Sequence, residues 1–168
     1  MGPPRSLKGR ALQWLAQREQ SRFELRRKLL PHAVAEDAAA AEAGSPAPEL
    51  APSVRVEGVL DWLEAHQYLS QERFAESRVH ARASRFGNLR IRQELKQHQV
   101  ELSPDAALAL KESELQRARA VRERKFALWP ASATERAKQA RFLAGRGFSP
   151  EVIGRVLRGP ADPDDDER

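Results

Sequence analysis

Apolar side chains recur along the chain with the period of a helix. Leu7, Ala11 and Leu15 fall on one stripe of a helix over 7–18, and Val56, Val59, Leu60 and Leu63 make an i, i+3, i+4, i+7 face. Three further segments align without gaps: Ser21–Leu29, Gly87–Leu95 and Ser149–Leu157. Each opens on Ser or Gly, has a branched apolar residue four positions on (Leu25, Ile91, Ile153) and Leu four beyond that (Leu29, Leu95, Leu157). This is an N-cap followed by two apolar positions one helical turn apart. Ser21 and Glu24 fit a capping box, and Pro150 takes the first helical position of the third copy.

A second helix is predicted before each copy, over 7–18, 71–85 and 134–145. A third follows the first two copies, at Val56–Leu63 and over 108–126, where Leu115, Ala118 and Val121 mark its apolar face. The pattern is a repeated helix trio. The expectation is an all-α protein, an elongated, curved array of three tandem three-helix repeats, because such a unit buries its apolar face only by stacking on its neighbours. The first trio would span 6–69, the second 70–129, and a shortened third 132–158. Composition interrupts this at two places. His32 to Ser53 is an Ala/Glu/Pro tract, expected to be a disordered insert over 33–53, and 159–168 is expected to be a disordered acidic tail.

Composition agrees with helices. Among 168 residues, Ala accounts for 27, whereas Val, Ile and Thr together number 12, too few to cover the faces of a sheet. The absence of Cys excludes disulfides, thiolate zinc sites and cysteine nucleophiles. With no long apolar run, a signal peptide, a membrane span and membrane association are not expected, and the reading is a cytoplasmic protein. The net charge of +5 is unevenly spread: +6 over 1–30, −4 over 31–57, +1 over 58–102, +6 over 103–159 and −4 over 160–168. If both acidic stretches were disordered, the folded remainder would carry about +13.

Catalytic chemistry is poorly supplied. His32, His66, His80 and His98 share no metal-ligand spacing, and the nine glycines form no phosphate loop. Asp61 with Glu64, and Glu112 with Glu114, read as solvated partners of neighbouring arginines. The expectation is a non-enzyme with no cofactor and no metal. The positive signal is 23 Arg against 6 Lys. A guanidinium is a planar fork suited to carboxylates and phosphates. Arg78, Arg82 and Arg85 lie at i, i+4 and i+7; Arg90, Arg92 and Lys96 lie on the next helix; Arg22, Arg26 and Arg27 occupy the equivalent helix of the first copy. Arg117, Arg119, Arg122, Arg124 and Lys125 crowd the long helix of the second.

Asp61-Trp62-Leu63, Tyr68-Leu69-Ser70, Arg73-Phe74-Ala75-Glu76-Ser77, Arg82, Gly87 and Arg90-Ile91-Arg92-Gln93-Glu94-Leu95 resemble the central stretch of the RecX family of recombinase regulators. The likeness continues through Ala11–Leu30, Arg124-Lys125-Phe126, Phe142-Leu143 and Arg146-Gly147-Phe148, and covers about 130 residues. The sequence departs from the pattern at Gln99, where a helix-ending Gly is usual, and in the length of the insert. The resemblance implies three three-helix repeats that bind the RecA recombinase filament on DNA and suppress strand exchange, ATP hydrolysis and coprotease activity. An open helical stack has no obvious two-fold face, and a monomer is expected. On this reading Arg78, Arg82, Arg85, Arg90, Arg92 and Lys96, with Arg22, Arg26 and Arg27, face the filament, while Trp62, Tyr68, Phe74, Ile91 and Leu95 are structural. The competing reading is a sequence-nonspecific module for single- or double-stranded DNA, since the corners at Gln20-Ser21 and Phe86-Gly87 resemble helix-turn-helix turns. A third is an adaptor gripping acidic proteins.

Overall fold

The computed structural model describes residues 6–46 and 48–158, so the acidic tail over 159–168 lies outside the described residues. Among these there are nine α-helices and no strand. They are α1 (Leu7–Gln17), α2 (Arg22–Glu42), α3 (Pro52–Ala65), α4 (Gln71–Ala83), α5 (Asn88–Gln97), α6 (Pro104–Glu112), α7 (Glu114–Lys125), α8 (Ala133–Gly145) and α9 (Pro150–Val156). Six of them start at a serine whose hydroxyl accepts an amide of the first turn. These are Ser6 from Gly9 (3.1 Å), Ser21 from Glu24 (3.1 Å), Ser70 from Arg73 (3.2 Å), Ser103 from Ala106 (3.3 Å), Ser132 from Glu135 (3.2 Å) and Ser149 from Val152 (3.4 Å). The chain divides into two compact units, one running to Phe74 and including His98–Val100, the other made of Ala75–Gln97 and the residues from Glu101 onward.

The core of the first unit comes from the apolar stripes of three helices: Leu7 and Ala11 of α1, Leu25, Leu29 and Ala33 of α2, and Val56, Leu60 and Leu63 of α3, closed by Leu69. Leu15, Val59 and Trp62 pack against it partly buried. Phe74 meets the His98 ring at 5.0 Å, and His98 Nδ1 lies 3.3 Å from Ser21 Oγ. The expectation of disorder from residue 33 is overturned, because α2 continues through Pro31 to Glu42. Ala has the highest helix propensity, and this tract also has a tertiary anchor. Ala33 is fully buried, its carbonyl accepts from Arg55 (2.8 Å), and the same guanidinium pairs with Glu36 (3.0 Å) and Asp37. A composition typical of linkers is therefore compatible with a helix that gives its acids to one arginine of α3. Among the described residues of this tract, 43–46 and 48–51 lie outside the helices.

In the second unit the predicted long helix over 108–126 breaks at Ser113, whose hydroxyl donates to the Leu110 carbonyl (3.2 Å). Ala118 and Val121 of α7 share one core with Leu143, Phe148, Val152, Ile153, Val156 and Leu157, and Leu115 packs against it. The spacing predicts a second trio closed by this helix and a shortened third repeat. Instead α7 completes a three-helix core with α8 and α9. The α4–α5 corner is joined to the end of α8 by backbone contact: the Gly87 amide donates to the Arg146 carbonyl (2.9 Å) and the Leu89 amide to the Gly147 carbonyl (3.0 Å). A Cβ on Gly87 would lie 2.3 Å from the Gly147 oxygen, so only glycine admits this approach. Gly87 thus serves as a docking point, whereas Ser21 and Ser149 in the aligned copies serve as side-chain caps. Glu114 is buried and accepts from the amides of Asn88 (3.0 Å) and Ser149 (3.3 Å), bracing the starts of α5 and α9. The expectation that it is a solvated ion-pair partner is corrected accordingly.

Candidate functional site

The predicted cations fall into three environments. In the first unit Arg22 is drawn inward: its guanidinium meets Glu57 (2.5 Å), Asp61 (2.7 Å) and Glu64 (2.6 Å). Partial burial works to lower its pKa, and the hydrogen bonds to Glu57 and Asp61 with the charges of Glu64 and Glu57 more than reverse it, holding the group firmly protonated. Arg26 reaches Glu57 (2.8 Å) from the exposed side. Arg27 is exposed beside the Phe23 ring. Asp61 and Glu64 are therefore ion-pair partners, as their spacing predicts.

In the second unit α4 ends at Ala83, so Arg85 leaves the helical stripe formed by Arg78 and Arg82. Arg82 donates to Glu94 (2.9 Å), which also lies 3.7 Å from Arg90. Arg78 is half-buried and engaged within the fold. Arg92 and Lys96 stand one turn apart on α5, both exposed.

The third environment surrounds Phe86, which is buried. The guanidinium carbons of Arg82, Arg85, Arg90 and Arg146 lie 5.8, 5.8, 4.4 and 5.6 Å from its ring centre. A ring face carries partial negative charge and offsets some of the crowding of four cations. Beside it opens a cleft of about 230 Å3 lined by Arg85, Arg124, Lys125 and Arg146 over Val121 and Phe142. Sequence reading grouped Arg124 and Lys125 with Arg117 and Arg122, and did not single out Arg146 as a cation. The available signal was that Arg124, Lys125 and Arg146 all stand at helix C-terminal ends.

Arg117 and Arg122 turn away from that surface. Arg117 donates to the carbonyls of Phe86 (2.8 Å), Ala83 (3.2 Å) and Leu110 (3.0 Å), and burial lowers its pKa against the opposing charge of Glu114. Arg122 is buried 3.8 Å beneath the centre of the Trp129 ring, bonded to Gln139 (2.9 Å) and to the Leu128 carbonyl. The corners likened to helix-turn-helix turns are internal too, since Gln20 is buried and bonded to Lys28 (2.8 Å), and Gly87 packs on Gly147. Tyr68, expected to be structural, is half-exposed and stacks on Trp62 at 5.6 Å. Among the described residues no group of acidic or histidine side chains could hold a metal, and no helix is long and apolar enough to cross a membrane.

Two three-helix cores, each formed within its own unit, together with surface arginine clusters, define the class as an all-α helical-repeat protein. Models of the second and third three-helix domains of RecX match residues 70–102 and 112–157. The chain is 49% identical over 160 residues to the regulatory protein RecX of Ralstonia nicotianae, covering 93% of this chain and 89% of the relative. It is also 49% identical over 158 residues to that of Leptothrix cholodnii, covering 93% and 90%. The crystal structure of RecX from Lactobacillus salivarius shares the fold, with a TM-score of 0.66 at 15% identity over 90% of this chain and 92% of that one. The chain belongs to the RecX family of regulatory proteins.

Proposed function

We propose that this protein binds the RecA filament on DNA in the cytoplasm and inhibits its recombinase, ATPase and coprotease activities. The observation that carries the reading is family membership across nearly the whole chain, since its relatives are RecX regulatory proteins. The arginine distribution is compatible with it. The contacts assigned to the filament are the exposed cations Arg85, Arg90, Arg92 and Lys96 with the half-buried Arg78 and Arg82 in one unit, and Arg26 and Arg27 in the other. Arg22 acts through Arg26, because both hold Glu57, and is a positioning residue. The test is ATP hydrolysis by RecA assembled on single-stranded DNA as this protein is added. Inhibition at stoichiometric or lower amounts is expected, and unchanged hydrolysis would overturn the proposal.

A further inference from the structure

We infer that the cleft between Arg85, Arg124, Lys125 and Arg146 is a binding site for the phosphodiester backbone of nucleic acid. The inference concerns the chain without RecA; it shares Arg85 with the filament reading, and its test therefore rests on Lys125 and Arg146, which that reading does not assign. Three separate pieces of chain supply the cations: the α4–α5 corner brings Arg85, the last turn of α7 brings Arg124 and Lys125, and the end of α8 brings Arg146. Cations at a helix C-terminus complement its dipole, which accounts for the last three one at a time. It does not account for Arg85, nor for the convergence of all four on one concavity.

Charge balance separates this cluster from the others. Arg22 meets three carboxylates, Arg55 meets two, and Arg82 and Arg90 share Glu94. Among the described residues none of the four cleft cations is in a salt bridge, and the lining holds no carboxylate. Like charges gathered without a counterion repel one another and raise the local affinity for an anion. Two of them are also held in place. Arg124 donates through Nε to the Ala120 carbonyl (3.2 Å) and through its terminal nitrogen to the Ser84 carbonyl. The Arg146 guanidinium lies 5.3 Å from the Phe142 ring centre and 5.6 Å from that of Phe86. Forks fixed before binding lose little entropy on binding.

Size and lining select the anion. At about 230 Å3 the cleft is smaller than ordinary ligand pockets of roughly 300 Å3 and upward. A phosphate and its sugar fit. The four cations offer charge to a phosphate, and Val121 and Phe142 offer an apolar surface to the sugar beside it. An acidic side chain would satisfy the forks and leave that apolar floor uncovered.

The test is fluorescence anisotropy of labelled single-stranded and double-stranded DNA of equal length, titrated with the full chain without RecA over a salt series. For the single strand, the double variant Lys125→Ala/Arg146→Ala is expected to bind more weakly and to reduce the slope of log affinity against log salt by about 1.4, at about 0.7 per phosphate contact. The duplex arm is expected to lose about 0.9 per contact if it uses the same site, so the two arms identify the source of the phosphodiester. Arg136→Ala/Lys138→Ala removes the same charge from exposed positions of α8 outside the cleft and is expected to leave the slope unchanged. Lys125→Glu, at an exposed helix end, tests the site should Arg146→Ala unfold the chain by circular dichroism. Wild-type affinity and slope in the cleft variants would overturn the inference, as would equal losses in both double variants. An acidic peptide that binds the cleft more tightly than either DNA would also overturn it.

Discussion

A guanidinium in this protein takes its role from what surrounds it, and the linear sequence carries little of that information. Arg117, Arg122 and Arg124 lie within eight residues of each other in one helix. The first ties together the end of α4, the second is sealed under Trp129, and the third faces a cleft. Their spacing placed them together, but burial depends on partners that arrive from α4, α8 and the loop after α7. Gln99 is a different case, a departure from the family pattern in the sequence whose consequence for the backbone the structure shows. It stands where a helix-ending glycine is usual, and its φ is 56°, in the left-handed region. Gln99→Gly is therefore expected to stabilise the protein by about 0.5–1 kcal/mol, read from the urea midpoint at unchanged slope. A loss of stability would show that the Gln99 side chain contributes more than its backbone costs. Glu24 gives a second test at this scale. Burial acts to raise its pKa, but the hydrogen bond and charge of Arg18, together with Lys28, leave it below the ordinary carboxylate value. A group with a depressed folded pKa stabilises the fold above its unfolded pKa and loses that contribution as pH falls through the folded value. Glu24→Gln should thus melt below the wild type at neutral pH, and the two melting curves should converge as the pH drops below about 4. A constant difference across that range would contradict the assignment.

At the scale of elements, helix starts were legible because a cap is a local signal. Ser21 and Ser149 cap α2 and α9, as their sequence context predicts. The box at Ser21 is only half formed, since Glu24 turns its carboxylate to Arg18 and Lys28. The apolar stripes of α1, α2 and α3 were legible for the same reason, as each repeats every turn within its own helix. Two features were not. The end of α2 is stabilised by Arg55, which lies 18 and 19 residues from its carboxylate partners, so composition alone suggested disorder. The break at Ser113 and the allegiance of α7 to α8 and α9 are set by which apolar face finds a partner. If Arg55 anchors the end of α2, then Glu36→Ala/Asp37→Ala should lower the melting temperature by several degrees and reduce helical ellipticity. The loss expected is about 1 kcal/mol for partly exposed ion pairs acting as a network. Unchanged melting would mean that alanine propensity alone holds that helix.

Across the whole molecule the charge argument changes most. Treating both acidic stretches as solvent-borne gave a folded charge near +13, yet Glu36, Asp37 and Glu57 are bonded into the first unit. The described residues contain 27 basic and 19 acidic side chains, a net +8. The excess is concentrated locally, because the arginines of the first unit are largely neutralised while the cleft cations of the second are not. A protein arranged in this way should meet an anionic filament through a defined surface, and its binding should weaken with salt. Charge reversal at Arg85, Arg90 and Arg92 addresses that surface while leaving the bonds of Arg22, Arg117 and Arg122 intact. The most direct measurement is the rate of ATP hydrolysis by RecA on single-stranded DNA, titrated with the wild-type chain and with the Arg85→Glu/Arg90→Glu/Arg92→Glu variant, whose helical circular dichroism is checked in parallel. The account predicts inhibition by the wild type at or below stoichiometry and its loss in the folded variant. Hydrolysis untouched by the wild type, or inhibited equally by both proteins, would contradict it.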